Sequence, residues 1–285
     1  MKSLAARRRL ASIFRHVCAM VTWGGVLLLA MLLYHVSRQG VGWLNLEFLQ
    51  SFPSRFPDRA GIKSALWGTC WVISFTALFS IPLGVATAIY LEEYARKGRL
   101  ARWIEINLSN LSGVPSIVFG ILGLVIFVRM MSLERSVLAG SLTLALLILP
   151  VIVIAAREAI RAVPQSIRHA SYALGATRWE TVRHHVLPSA FPGILTGVIL
   201  AVSRAIGETA PLIMIGALTY VAFVPENPMS PFTTLPIQIF NWSSRPQQEF
   251  HYVAAAGIIV LLVVLLLMNA TAIYIRHRLG RKTGR

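Results

Sequence analysis

Long apolar runs alternate along this chain with short polar, basic segments. Six runs meet the length of about 20 residues that a helix needs to cross a bilayer. They cover residues 17–36, 65–91, 108–128, 137–156, 191–224 and 252–275. The fifth is too long for one straight crossing and contains Pro211, which predicts a tilt, a kink or an early end. The basic start before the first run resembles a signal peptide. The run closes on Tyr34-His35-Val36-Ser37-Arg38, with no small-x-small cleavage site, and so reads as an uncleaved first helix.

The distribution of charge orients these spans. With six crossings, both termini and the loops 92–107 and 157–190 share one side. That side holds 19 of the 27 Lys and Arg residues, so the positive-inside rule places it, with both termini, in the cytoplasm. Composition agrees: 56% of residues are hydrophobic, 13% are charged, and the mean hydropathy is +0.67. A net charge of +16 would also suit a nucleic-acid binder, but apolar runs of this length exclude that class. Cys18 and Cys70 both fall within apolar runs and read as packing residues, with no disulfide framework or metal pair. The seven histidines show no metal spacing.

Segment 156–190 has more pattern than a topological loop requires. Apolar residues recur at helical spacing from Gln165, Gly175 follows Leu174 where a helix should end, and Trp179–Val186 reads as a second short helix closed by Leu187-Pro188. Periodicity alone allows either a solvated connector or a rigid cytoplasmic knob.

Span five carries Arg204 and Glu208, four residues apart and so on one helix face. Each would cost about 3 kcal/mol at the centre of a bilayer, so the pair must face protein or a wet cavity. A structural salt bridge is one reading and an anion site the other. A guanidinium keeps its charge and donates paired hydrogen bonds that suit a tetrahedral oxyanion, and Glu208 could neutralise it between cycles. On the same span Gly193 and Gly197 suit a close helix contact. Gly113, Pro115 and Gly120 interrupt span three, where Ser116 and freed backbone N–H groups could help hold an anion or the break could serve packing. Segment 225–251 is stiffened by five prolines, and its Phe240 and Trp242 suit an interfacial position.

No His-Glu-x-x-His, Gly-x-Ser-x-Gly or Gly-x-x-x-x-Gly-Lys-Ser/Thr stretch is present. A membrane hydrolase would need a nucleophile or metal set, and a protein that hydrolyses ATP itself would need the last of these motifs. A self-sufficient channel would need a filter, which the sequence lacks.

Several stretches resemble a known family. His169-Ala170-Ser171, three residues, Gly175, nine residues, then His185-Val186-Leu187-Pro188 is similar in spacing to the coupling motif of ABC importer permeases. Ala170, Gly175, Leu187 and Pro188 match it, whereas His169, Ser171 and His185 stand where the family has Glu, Ala and Ile. Ser203–Leu212 resembles the span-five signature of phosphate permeases of the PstA and PstC type. Residues 111–120 resemble their third span, 89–95 the end of their second, and 235–242 the outer loop of the PstA branch.

The resemblance implies one all-α transmembrane domain over residues 1–285 with a type I ABC importer (MetI-like) fold. Its first span would be 17–36, its core 61–275 and its coupling loop 157–190. It implies import of phosphate by alternating access, with no cofactor. Partners would be a second, non-identical permease, two ATPase copies and a periplasmic phosphate-binding protein. Arg204, Glu208, Ser116 and Thr209 would line the substrate path. His169, Ala170, Ser171, Gly175, Leu187 and Pro188 would belong to the coupling segment.

Overall fold

The computed structural model describes residues 4–95, 98–217 and 220–283. The charges counted at Lys2, Arg96, Lys97 and Arg285, and residues 218–219 of the fifth predicted span, lie outside the described residues. In chain order the helices are α1 (Leu4–Gly40), α2 (Leu46–Gln50), α3 (Lys63–Ile89), α4 (Arg99–Ser112), α5 (Ser116–Gly123) and α6 (Val137–Arg161). They continue with α7 (Gln165–Ala173), α8 (Arg178–Thr181), α9 (Leu187–Gly207), α10 (Ala210–Met214), α11 (Leu235–Ser243) and α12 (Gln248–Thr283). Wider π turns extend α3 over Tyr90–Tyr94 and α5 over Leu124–Met130, and join α8 to α9 over Val182–Val186.

Among the described residues, five helices are long and apolar enough to cross a membrane, and one bent pair makes up to a sixth. That pair is the third predicted span. Run 108–128 is not one helix: it is divided between α4 and the arm 116–130, which meet at 105°. The cause is local. Pro115 biases Val114 away from the helical region, and Gly113 ends α4 with its N–H bonded to the Asn110 carbonyl at 3.0 Å.

Helix α6 is the axis of the bundle. Its core residues include Ile148, Ile152, Val153 and Ile160, all fully buried. α3 meets it along Val72, Thr76, Ser80, Gly84 and Ala88, a stripe at helical spacing in which four of five side chains are small. The backbones come close enough for hydroxyls to bridge them. Thr76 donates to the Ser141 carbonyl and Ser141 to the Val72 carbonyl, each at 3.2 Å. On another face of α6, Ala155 and Ala159 press against Gly197 and Gly193, the close contact expected of those glycines. α9 is also held to α12 by polar links, Ser203 to Asn269 at 2.7 Å and Arg276 to Thr196 at 2.9 Å.

Two expectations need correction. Trp242 is not interfacial. It is fully buried beside Phe48, 5.9 Å between ring centroids, because residues 235–243 form α11 and tuck under α12 rather than running as a loop. Phe240, on the same helix, is exposed. Cys18 and Cys70 are both exposed rather than packed. The apolar window of α1 has no buried residue, so hydrophobicity there signals contact with lipid or another subunit and not a core.

Candidate functional site

Two clusters lie at opposite ends of α9. The first is at its C-terminus. α9 stops at Gly207 because Pro211 has no N–H to offer the Gly207 carbonyl and its ring would clash there. Glu208 is therefore not on the helix that carries Arg204, as the spacing suggests. It is the first residue beyond it, extended at φ −75°, ψ 126°. The pair forms all the same: Arg204 Nε donates to Glu208 Oε1 at 3.2 Å. Arg204 is 46% exposed and Glu208 16%. The terminal nitrogens of Arg204 make no hydrogen bond among the described residues and remain available for a bidentate contact.

Thr209 follows directly and precedes α10. Ser116 opens α5, and the two short helices pack where Gly120 meets the Pro211 backbone. The break after α9 and the break before α5 thus belong to one packed unit. Among the described residues no hydrogen bond joins Ser116 or Thr209 to the Arg204–Glu208 pair. Both are half-buried.

The second cluster is the α7–α8 turn. Gly175 has φ +86° with open space around its Cα, so its backbone conformation and not its size selects glycine. It closes α7 by a Schellman motif, in which Gly175 N–H bonds the Tyr172 carbonyl at 2.9 Å and Ala176 N–H the Ser171 carbonyl at 3.2 Å. Thr177 and Glu180 form a reciprocal capping box that starts α8. Buried Ser171 and Thr181 hydroxyls, 2.8 Å apart, clasp the two helices. His169 and Ala170 are exposed, as are Tyr172, Leu174 and Trp179, with Leu174 at 89%. A polar turn tipped by three apolar side chains suits docking to another protein.

Leu187 and Pro188 do not close a separate second helix. The chain runs on from α8 through Val182–Val186 into α9, and Leu187 N–H bonds the Val182 carbonyl five residues back. The wide turn absorbs the missing donor at Pro188, so knob and span form one continuous rod. From Pro188 to Arg204 the helical rise is about 24 Å.

Arg168 anchors this knob and was not evident from the sequence. It is buried, donates to Glu93 Oε1 from Nη2 at 2.7 Å, and donates to the Val163 and Ile160 carbonyls at 2.6 and 3.0 Å. Adjacent Glu92 takes Arg161 at 3.1 Å. The available signal was two adjacent carboxylates in an otherwise basic segment.

Comparison with known proteins agrees with this architecture. Residues 80–281 match the family described as binding-protein-dependent transport system inner membrane component. The probable ABC transporter permease protein YqgI of Bacillus subtilis is 36% identical over 215 residues, 75% of this chain and 72% of that one. The phosphate transport system permease protein PstA of Yersinia pestis is 32% identical over 231 residues, 81% of this chain and 77% of that one. A chain in the crystal structure of a bacterial alginate ABC transporter, in complex with alginate pentasaccharide-bound periplasmic protein, superposes with a TM-score of 0.66. That superposition covers 98% of this chain and 99% of that one at 14% identity, a likeness of fold. Proteins of this kind work as multi-pass inner-membrane subunits alongside the other components of an ABC transporter, and none of the ATP chemistry is theirs. With its bundle of apolar helices and the match over residues 80–281, this chain belongs to the family of binding-protein-dependent transport system inner membrane components.

Proposed function

We propose that this chain is the PstA-type permease of an ATP-driven phosphate importer. The observation that carries the reading is Arg204, a half-exposed guanidinium at a break in a spanning helix, tied to Glu208 through Nε alone. A phosphate oxyanion fits the terminal nitrogens as a bidentate acceptor. Glu208 keeps the cation neutralised when no anion is present, which lowers the cost of holding it within the membrane and weakens retention of phosphate enough for release. Ser116 and Thr209, at the starts of the two packed short helices, supply further hydroxyl donors along the path. Similarity to PstA proteins supports phosphate as the anion.

The cycle follows from the rod geometry. The α7–α8 knob, with Gly175 at its turn and His169, Ala170 and Ser171 on α7, docks on one of two ATPase subunits. Leu187 and Pro188 join the knob to α9. ATP-driven approach of the ATPases displaces the knob, and the rod from α8 to α9 carries that displacement to Arg204. A second, non-identical permease completes the pore, and a periplasmic phosphate-binding protein delivers into it when it opens outward. Hydrolysis returns it inward. Both termini are cytoplasmic in this arrangement, and residues 1–285 act as one transmembrane domain.

Radiolabelled phosphate uptake in a strain lacking this chain tests the reading. Wild type restores uptake, whereas Arg204→Gln assembles normally and gives none. Uptake by the Arg204→Gln strain at the wild-type rate would remove Arg204 from the path.

A further inference from the structure

A charged cavity lies far along the chain from the Arg204 pair. It measures about 500 Å³ and is enclosed by the end of α3, the first turns of α4 and the end of α6. Among the described residues its charged lining is Glu92, Arg99, Arg102, Glu105, Arg157 and Arg161, four cations against two anions. Both carboxylates are already engaged from α6. Arg161 and Arg157 reach Glu92 at 3.1 and 3.5 Å, and Arg157 reaches Glu105 at 3.5 Å. Among the described residues, Arg99 and Arg102 have no ion-pair partner. Arg157 is 12% exposed, with both terminal nitrogens in those ion pairs and its Nε buried, so it holds the two carboxylates in place and leaves the ligand-facing charge to Arg99 and Arg102.

Helix α4 adds to the positive potential. It opens after Gly98 with no side-chain cap and no acidic residue in its first turn, so free backbone N–H groups end at the cavity. From these observations we infer that the α3–α4–α6 cavity is a binding site for a phosphate group, separate from the translocation path. Arg99 and Arg102 supply the guanidinium donors and the α4 N-terminus the backbone donors.

Two sources carry such a group. α4 turns 105° away from the spanning arm and exposes Trp103 at 64% and Ile106 at 52% beside its basic end. An amphipathic helix of this kind lies in a headgroup layer, where the phosphate of an anionic lipid is within reach. Free inorganic phosphate would satisfy the same donors.

The test compares the full chain with the double variant Arg99→Gln/Arg102→Gln. Arg129→Gln is the control for loss of an exposed charge at the far end of the α5 arm. In one arm the proteins are released from phosphatidylcholine nanodiscs containing phosphatidylglycerol, and native mass spectrometry counts retained phosphatidylglycerol. In the other, equilibrium dialysis measures inorganic phosphate on the same proteins carrying Arg204→Gln, which removes the α9 pair from the reading. A several-fold loss in the double variant, with the control unchanged, supports the site and identifies the source by the arm in which it occurs. Equal binding by double variant and wild type in both arms overturns the inference. So does a loss confined to co-purification of the ATPase, which would make the cavity a protein contact. Both arginines are exposed; should the double variant not purify as a single species, Arg99→Gln alone serves the same comparison.

Discussion

Arg168 places two of its nitrogens on a single oxygen of Glu93, at 3.1 and 2.7 Å, and so ties the root of the α7–α8 knob to the end of α3. The side chains are 8% and 7% exposed, the remaining guanidinium nitrogen bonds the Val163 carbonyl just past α6, and Nη2 also reaches the Ile160 carbonyl on α6. The knob is thus fastened to two spanning helices by one buried cation, a requirement for any element that receives a push from outside.

Arg168→Gln should destabilise the chain by about 3–5 kcal/mol, because it strands the Glu93 carboxylate in a buried site. The fall in melting temperature of the purified chain measures this. Arg168→Gln/Glu93→Gln should recover a large part of the loss. A double variant less stable than the single would show that the two residues do not act as a pair.

Gly197→Leu should disrupt packing. Even a Cβ at this position would overlap Ala155, and longer side chains would force α9 away from α6 at a cost of about 1–3 kcal/mol or more. Gly207→Ala, where nothing lies within 4 Å, is the matched substitution that should be tolerated. Thermal denaturation of both variants in the same detergent gives the comparison, and equal melting temperatures would contradict the close contact.

Gly175 separates conformation from size. Its surroundings are open, so Gly175→Asn, which accepts a positive φ, should retain most ATPase-coupled uptake. Gly175→Val should lose about 1–2 kcal/mol of turn stability and a corresponding share of coupling, read as ATP hydrolysed per phosphate imported. Indistinguishable coupling ratios would mean that the turn geometry is not used.

Trp242→Ala should cost about 3–5 kcal/mol, as expected for a large buried aromatic, since it empties the space between Phe48 and α12. Trp242→Phe should cost less. Phe240→Ala, on the exposed side of the same helix, should leave the melting temperature within about 0.5 kcal/mol equivalent of wild type. This pair of measurements tests which aromatic of α11 belongs to the core.

Much of the plan was legible along the chain because bilayer thickness is a length criterion that any apolar run meets or fails by itself. Gly175 could be read as a helix stop, and Gly193 with Gly197 as a close contact, since each rests on local backbone or side-chain size. Glu208 shows where this kind of reading ends. Its spacing from Arg204 is helical, yet the proline three residues later stops α9 before reaching it, and the ion pair survives only because an extended residue still brings the carboxylate back. Trp242 was misread for a related reason: amphipathic aromatics suit an interface and a core equally well.

The apolar runs long enough to cross a bilayer and the basic character of the segments between them were determined by the sequence alone, because they depend on composition within a few helical turns. Tertiary structure decided the rest. It set the burial of Arg168 against Glu93, the seating of Trp242 beside Phe48, and the gathering of Arg99, Arg102, Arg157 and Arg161 around one cavity. These depend on contacts between segments tens of residues apart, whose partners are chosen by which small side chains allow two backbones to approach.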